Sequence, residues 1–141
     1  MSLQSSVKLQ PQNIDAEKSV LGSILIDSDA IINIAEVLRP EHFYLEKHEV
    51  TYSAILELFE SRDPIDMVTL TAALKRNKTL ERAGGASYLA ELVEYTPSAA
   101  NIKSYASLIK KAYTKRELIK SSTKIVELAF DESIDEEEIL D

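Results

Sequence analysis

The chain has 141 residues, no cysteine, 3 glycines and 4 prolines; with 45% hydrophobic and 28% charged residues it has the make-up of one folded, helix-rich domain, and disulfide scaffolds, zinc thiolate sites and thiol catalysis are excluded. No apolar run approaches the ~20 residues of a membrane span, and residues 1–10 lack a signal-peptide core, so a cytoplasmic chain with no membrane contact is expected. The net charge of −8 sets up a field that repels phosphate backbones, which disfavours autonomous nucleic-acid binding and favours protein partners.

Apolar residues recur at three- and four-residue spacing throughout and no stretch alternates as a strand would, so the expected fold is all-α. Residues 1–10 read as a flexible leader. Asn13 or Asp15 can cap a first helix that buries Val20, Leu21, Ile24 and Leu25 and ends near Asp27, with Asp15 and Glu17 suited to its positive end. Asp27 or Ser28 starts a second helix carrying Ile31, Ile34, Ala35 and Leu38, which Pro40 closes. A turn at residues 41–44 leads to a third helix, about Glu46 to Ser61, burying Val50, Ala54, Ile55, Leu58 and Phe59.

Asp66 can cap the N–H of Thr69, flanked by Ile65 and Leu70 at hydrophobic-staple spacing, so a helix runs from Met67 to about Arg76. Asn77 can end it, Thr79 can cap a short helix through Arg82, and Gly84-Gly85 supplies the backbone angles of the next turn. Tyr88, Leu89, Leu92 and Val93 mark a further helix that Thr96-Pro97 breaks. From Ser98 to Phe130 there is neither glycine nor proline, which permits one helix of roughly 30 residues.

The apolar stripe of that last helix changes direction. At about 100° per residue, Ile102, Tyr105, Ala106, Ile109, Ala112 and Tyr113 share one face, whereas Leu118, Ile119, Ile125, Val126, Ala129 and Phe130 gather roughly a third of a turn away. The expected architecture is therefore a compact orthogonal helical head over residues 11–112. Residues 113–141 form the projecting half of the long helix and the start of a second, truncated hairpin arm, marked by Ile134, Ile139 and Leu140. Charge follows the same division: residues 1–97 hold 9 basic and 15 acidic side chains, 98–124 hold 7 and 1, and 125–141 hold none and 8.

Chemistry that a catalytic chain needs is sparse. With glycine only at 22, 84 and 85 there is no phosphate-cradling loop; Gly84-Gly85 reads as a structural turn and Gly22 as a helix-packing point. His42 and His48, near Glu41, Glu46 and Glu49, invite a metal reading. Their six-residue interval across a turn is wrong for ligands on one helix face, so they read as surface or capping residues and no metal is expected. The pair Glu136-Glu137 lies in a solvated charge run, and no serine is coupled to a histidine by a recognisable elbow. The cations from Lys103 to Lys124 spread over more than half the helix circumference, as a solvated face does; Arg116, between the two apolar halves, is expected to pair with a carboxylate of the head or of the acidic tail.

The ordered fragments Asn13-Ile14-Asp15-Ala16-Glu17 with Ser19-Val20-Leu21-Gly22, Pro40 with His42-Phe43-Tyr44 and His48, Pro64-Ile65-Asp66 with Val68-Thr69, Gly84-Gly85 with Tyr88-Leu89-Ala90-Glu91-Leu92, Thr96-Pro97-Ser98-Ala99-Ala100-Asn101-Ile102 with Tyr105, and Arg116 with Leu118-Ile119 span about residues 11–130. Together they resemble the N-terminal domain of the DnaB-type replicative helicase family. The resemblance implies a helical head with a helical hairpin, joined in the full protein to a motor domain where ATP and magnesium bind; no cofactor and no catalysis are implied for this stretch. It also implies self-pairing into dimers, a collar on a hexameric ring, docking of the primase C-terminal domain, and a helicase loader as a further partner. Family positions linked with primase contact fall on Asp15, Tyr88, Ile119 and Ile125. Each has a plain structural reading beside that one: a helix start for Asp15, the head core for Tyr88, hairpin packing for the two isoleucines.

Two other classes stay open on residues alone. The basic stretch 98–124 would suit an autonomous helical nucleic-acid-binding module, and His42, His48 and the nearby glutamates would suit a small metal-dependent enzyme.

Overall fold

Asn13 opens the first helix: its side-chain oxygen accepts the N–H of Ala16 at 2.9 Å, and α1 runs Ile14–Ile26. The computed structural model describes residues 9–135 and 137. Within them the order continues with 3-10 turns at Ser28–Asn33 and Pro40–His42, then α2 (Glu46–Glu60), α3 (Met67–Arg76), α4 (Gly85–Tyr95) and α5 (Ile102–Phe130). There is no strand among the described residues, and no helix there is long and apolar enough to cross a membrane. Ile139 and Leu140 of the expected second arm, and most of the leader, lie outside the described residues.

The central element is α1. Ala16, Ser19, Val20, Leu21, Gly22, Ser23 and Ile24 are all buried, so it is covered on nearly every side, by α4, α5 and α2. Each leucine or isoleucine so enclosed contributes about 1.5–3 kcal/mol relative to exposure. The tightest approach is at Gly22: a Cβ there would strike the Leu92 carbonyl and the Thr96 hydroxyl and lie 2.8 Å from the Thr96 Cβ. Gly22 is thus the expected packing point, where α1 meets the end of α4.

Local signals set most boundaries. Asp66 accepts the Thr69 N–H at 2.8 Å while the Thr69 hydroxyl accepts the Asp66 N–H at 2.9 Å, a reciprocal cap on α3. Gly84 and Gly85 take φ of +97° and +80°, the left-handed turn that starts α4. Helices α2 and α3 end on left-handed Arg62 and Lys78, whose following N–H groups reach back to the Leu58 and Leu74 carbonyls.

Three expectations are corrected. The segment from Ser28 to Leu38 is not an α-helix but a 3-10 turn followed by further turns. Asp27 takes the Asp29 N–H two residues on, and the β-branched Ile31, Ile32 and Ile34 resist regular helix, while the tighter path still buries Ile31, Ile34 and Leu38. Thr79 to Arg82 forms one turn, closed by Ala83 donating to the Thr79 carbonyl, rather than a helix. The buried face of α2 includes the expected Ala54, Ile55 and Leu58 but extends to His48, Thr51, Tyr52 and Leu56, with Val50 and Phe59 only half-buried.

The long helix has 29 residues. Ile102, Ala106, Ile109 and Ala112 are buried against the head; past Ala112 no residue of α5 is buried.

Candidate interaction site

The outward face of α5 holds the largest run of uncovered apolar side chains. Leu118, Ile119, Ile125, Val126 and Phe130 are 63%, 42%, 65%, 52% and 83% exposed. They are brought together by helical spacing alone, since the residues before Ala112 turn a different face to the head. By helical phase Ile125 and Phe130 lie at the two edges of this stripe, with Ile119 next to Phe130. Burying such a stripe against a second apolar helix face is the arrangement that removes it from water.

Arg116 sits where the helix leaves the head, and its pairing differs from expectation. Among the described residues it bonds no carboxylate; its guanidinium donates to the carbonyls of Pro11 at 2.8 Å and His42 at 2.9 Å, and lies over the rings of Tyr44 and Tyr113. Two chain segments whose carbonyls lack helix partners meet there, and a planar five-donor group satisfies both. Beside it, the His42 Nδ1 accepts the Arg39 N–H at 2.9 Å, and the ring packs on Tyr113. Burial holds the His42 pKa below the usual histidine value; Glu41 opposes this, and Lys110, Arg39 and Arg116 push the same way as burial.

Inside the head is a polar chain that residue spacing did not reveal. His48, expected at the surface or in a cap, is fully buried. Its Nδ1 lies 2.8 Å from Glu17 Oε1, and its Nε2 lies 2.6 Å from the Tyr88 hydroxyl. Glu17 also accepts the N–H of Tyr44 at 2.7 Å and of Leu45 at 3.4 Å. Leu45 is the N-cap of α2 and has no side chain able to cap, so Glu17 supplies the anion for that helix start as well as for its own, at the positive ends of both. A carboxylate only accepts, so His48 Nδ1 carries the proton. Tyr88 keeps its hydrogen, because burial, with Glu91 and Glu17, pushes its pKa up to about 12, and toward the Nδ1–H tautomer of His48 it is the donor to Nε2. The Lys47 ammonium caps the assembly from outside, 3.7 Å from the Tyr88 ring centroid. One signal was available: His48, Tyr52 and Ile55 share a helix face.

The four positions singled out by resemblance do not form one cluster. Asp15 is exposed in the first turn of α1, and its nearby carboxylate raises the Tyr95 pKa. Tyr88 is buried as above, 9% exposed, and Ile119 and Ile125 lie on the outward stripe. His42 and His48 serve separate elements, the one bonded to Arg39 and the other to Glu17 and Tyr88, and are not set to share an ion.

Proteins of similar sequence and fold are known. The chain belongs to the family described as the DnaB-like helicase N-terminal domain, which matches residues 9–111. It is 39% identical over 127 residues to the replicative DNA helicase DnaB of Geobacillus stearothermophilus, covering 90% of this chain but only 28% of that relative's length. Its fold is similar to a crystal structure of the N-terminal domain of DnaB helicase from Mycobacterium tuberculosis, with a TM-score of 0.89, 40% identity, and 94% and 93% of the two chains covered. A second similar structure, of a DnaB-like replicative helicase described with its interactions with primase, gives a TM-score of 0.72 at 30% identity over 82% of this chain and 27% of that one.

Proposed function

We propose that this chain is the non-catalytic collar of a hexameric replicative DNA helicase, pairing subunits, helping the ring assemble and docking primase during DNA replication in the cytoplasm. The observation that carries the reading is the run from Leu118 to Phe130, apolar and uncovered at the end of a helix whose other half closes the head. On this reading residues 11–112 are the head and 113–141 belong to the arm that meets a second subunit. Ile119 and Ile125 contact the partner directly and Asp15 presents a carboxylate to it. Tyr88 acts from inside, by holding the surface around Lys47 in place. A helicase loader is a further partner of the whole protein.

ATP and magnesium chemistry belongs on this reading to the rest of the helicase. Two of the three glycines are closed off from a phosphate: Gly22 is packed against Thr96, and a Cβ at Gly84 would meet the Tyr88 ring.

Sedimentation equilibrium of the chain beside Ile119→Lys and Ile125→Lys, together with calorimetric titration of the cognate primase C-terminal domain, tests the reading. Concentration-dependent self-association and micromolar primase binding, both reduced in the variants, are expected. A chain that stays monomeric and takes up no primase would end it.

A further inference from the structure

We propose that the groove between the Asn33–Val37 segment and α5 docks an acidic peptide segment of a partner protein by one apolar side chain seated between two lysines. The floor is made by Ile34 and Ala106, 1% and 2% exposed, and the lip by Val37, 50% exposed. The groove holds about 340 Å³, enough for a leucine or phenylalanine side chain. Lys103 and Lys110 stand on its α5 wall, two turns and about 10 Å apart along the helix. Between them Ala106 and Ser107 are small, which leaves the floor open.

The charge around this groove runs against the chain as a whole. Acidic residues outnumber basic ones 24 to 16, yet Lys103, Lys110 and Arg39 form no salt bridge among the described residues. On the His42 side Arg39 and Arg116 add positive charge, opposed by the carboxylate of Glu41. A carboxylate-bearing segment is drawn to such a pair, and burial of one apolar side chain on Ile34 and Val37 fixes its register. A nucleic-acid backbone meets the same lysines but leaves the apolar floor uncovered, so an acidic peptide satisfies both halves of the site. The groove is formed by the head and the first turns of α5, apart from the stripe that begins at Leu118, so it stands or falls independently of subunit pairing.

Fluorescence anisotropy of a short labelled peptide, with a leucine and a phenylalanine flanked by glutamates, measures the affinity. Three comparisons accompany it: the glutamine-for-glutamate peptide, a peptide with serine at both apolar positions, and a labelled single-stranded oligonucleotide. Binding should weaken about tenfold or more in Lys103→Glu/Lys110→Glu and in either altered peptide. Ser107→Trp, which fills the groove from an exposed position and leaves the lysines in place, should weaken it to a similar degree. Circular dichroism establishes that each variant is folded. Equal binding of the serine peptide, tighter binding of the oligonucleotide, binding undiminished in both variants, or no binding at all would overturn the proposal.

Discussion

The carboxylate of Glu17, in the first turn of α1, accepts from the Nδ1 of His48, 31 residues later in the chain, at 2.8 Å. With the Tyr44 and Leu45 N–H groups this one side chain satisfies three donors at the junction of α1 and α2. Glu17→Ala removes the acceptor of all three, the His48 donor fully buried and the two N–H groups partly so, and should cost about 3–5 kcal/mol in urea unfolding. A loss below about 1 kcal/mol would show that the junction does not depend on the carboxylate.

Tyr88 closes the far end of the same chain, and its ionisation provides an alkaline test. Its folded pKa, about 12, lies above the ordinary 10.0, so the protonated phenol is the form that folding favours. The contribution to stability is complete below pH 10 and fades as pH climbs through 12. The stability gap between the parent chain and Tyr88→Phe should therefore narrow across that window in denaturant titrations at stepped pH. A gap that stays constant would separate Tyr88 ionisation from folding. Burial pushes the Tyr52 pKa up as well, and taking the difference between parent and variant removes its share.

His42 gives the opposite sign. Its folded pKa lies below the ordinary 6.5, and its Nδ1 is an acceptor only while unprotonated. Stability from this group is present above 6.5 and is lost as pH falls through the lowered folded value. NMR titration of the His42 ring should show that depressed midpoint. His42→Asn, which offers another acceptor to Arg39, should flatten the acid limb of the stability profile; an unchanged limb would argue against the linkage.

Gly22→Ala sets helix propensity against packing. Alanine gains roughly 0.5–1 kcal/mol in a helix interior, but here its methyl meets Thr96 and the Leu92 carbonyl. Overpacking of this kind costs about 1–3 kcal/mol, so thermal unfolding should shift downward. An upward shift would mean that α1 and α4 can separate at little cost.

Arg116→Ala removes both carbonyl contacts at the root of the projecting helix. The expected loss is about 1–3 kcal/mol, with faster hydrogen exchange in residues 9–13 and at the Pro40–His42 turn. Arg116→Lys should recover only part of it, since one ammonium does not reproduce the fork that spans the two carbonyls. Full recovery by lysine would reduce the contact to simple charge.

Helix boundaries were legible because their causes lie within four residues of one another: Asn13 with Ala16, Asp66 with Thr69, and the paired glycines at 84 and 85. The second helix failed as an expectation because three isoleucines in four positions match a helical stripe but equally fill a tighter turn, and only the pocket they enter decides between the two. Of the interaction surface, the stripe was legible from periodicity. The groove was not, since its two walls come from segments some 70 residues apart.

By itself the sequence determined an all-helical chain, its caps and breaks, and a final helix whose apolar side turns away from the head after Ala112, because capping and helical phase are short-range properties. Only the tertiary structure decided that His48 is enclosed between Glu17 and Tyr88, and that Arg116 reaches the carbonyl of Pro11, 105 residues before it. Buried polar groups take whichever partners the packed helices bring within reach, and no spacing along the chain encodes that encounter.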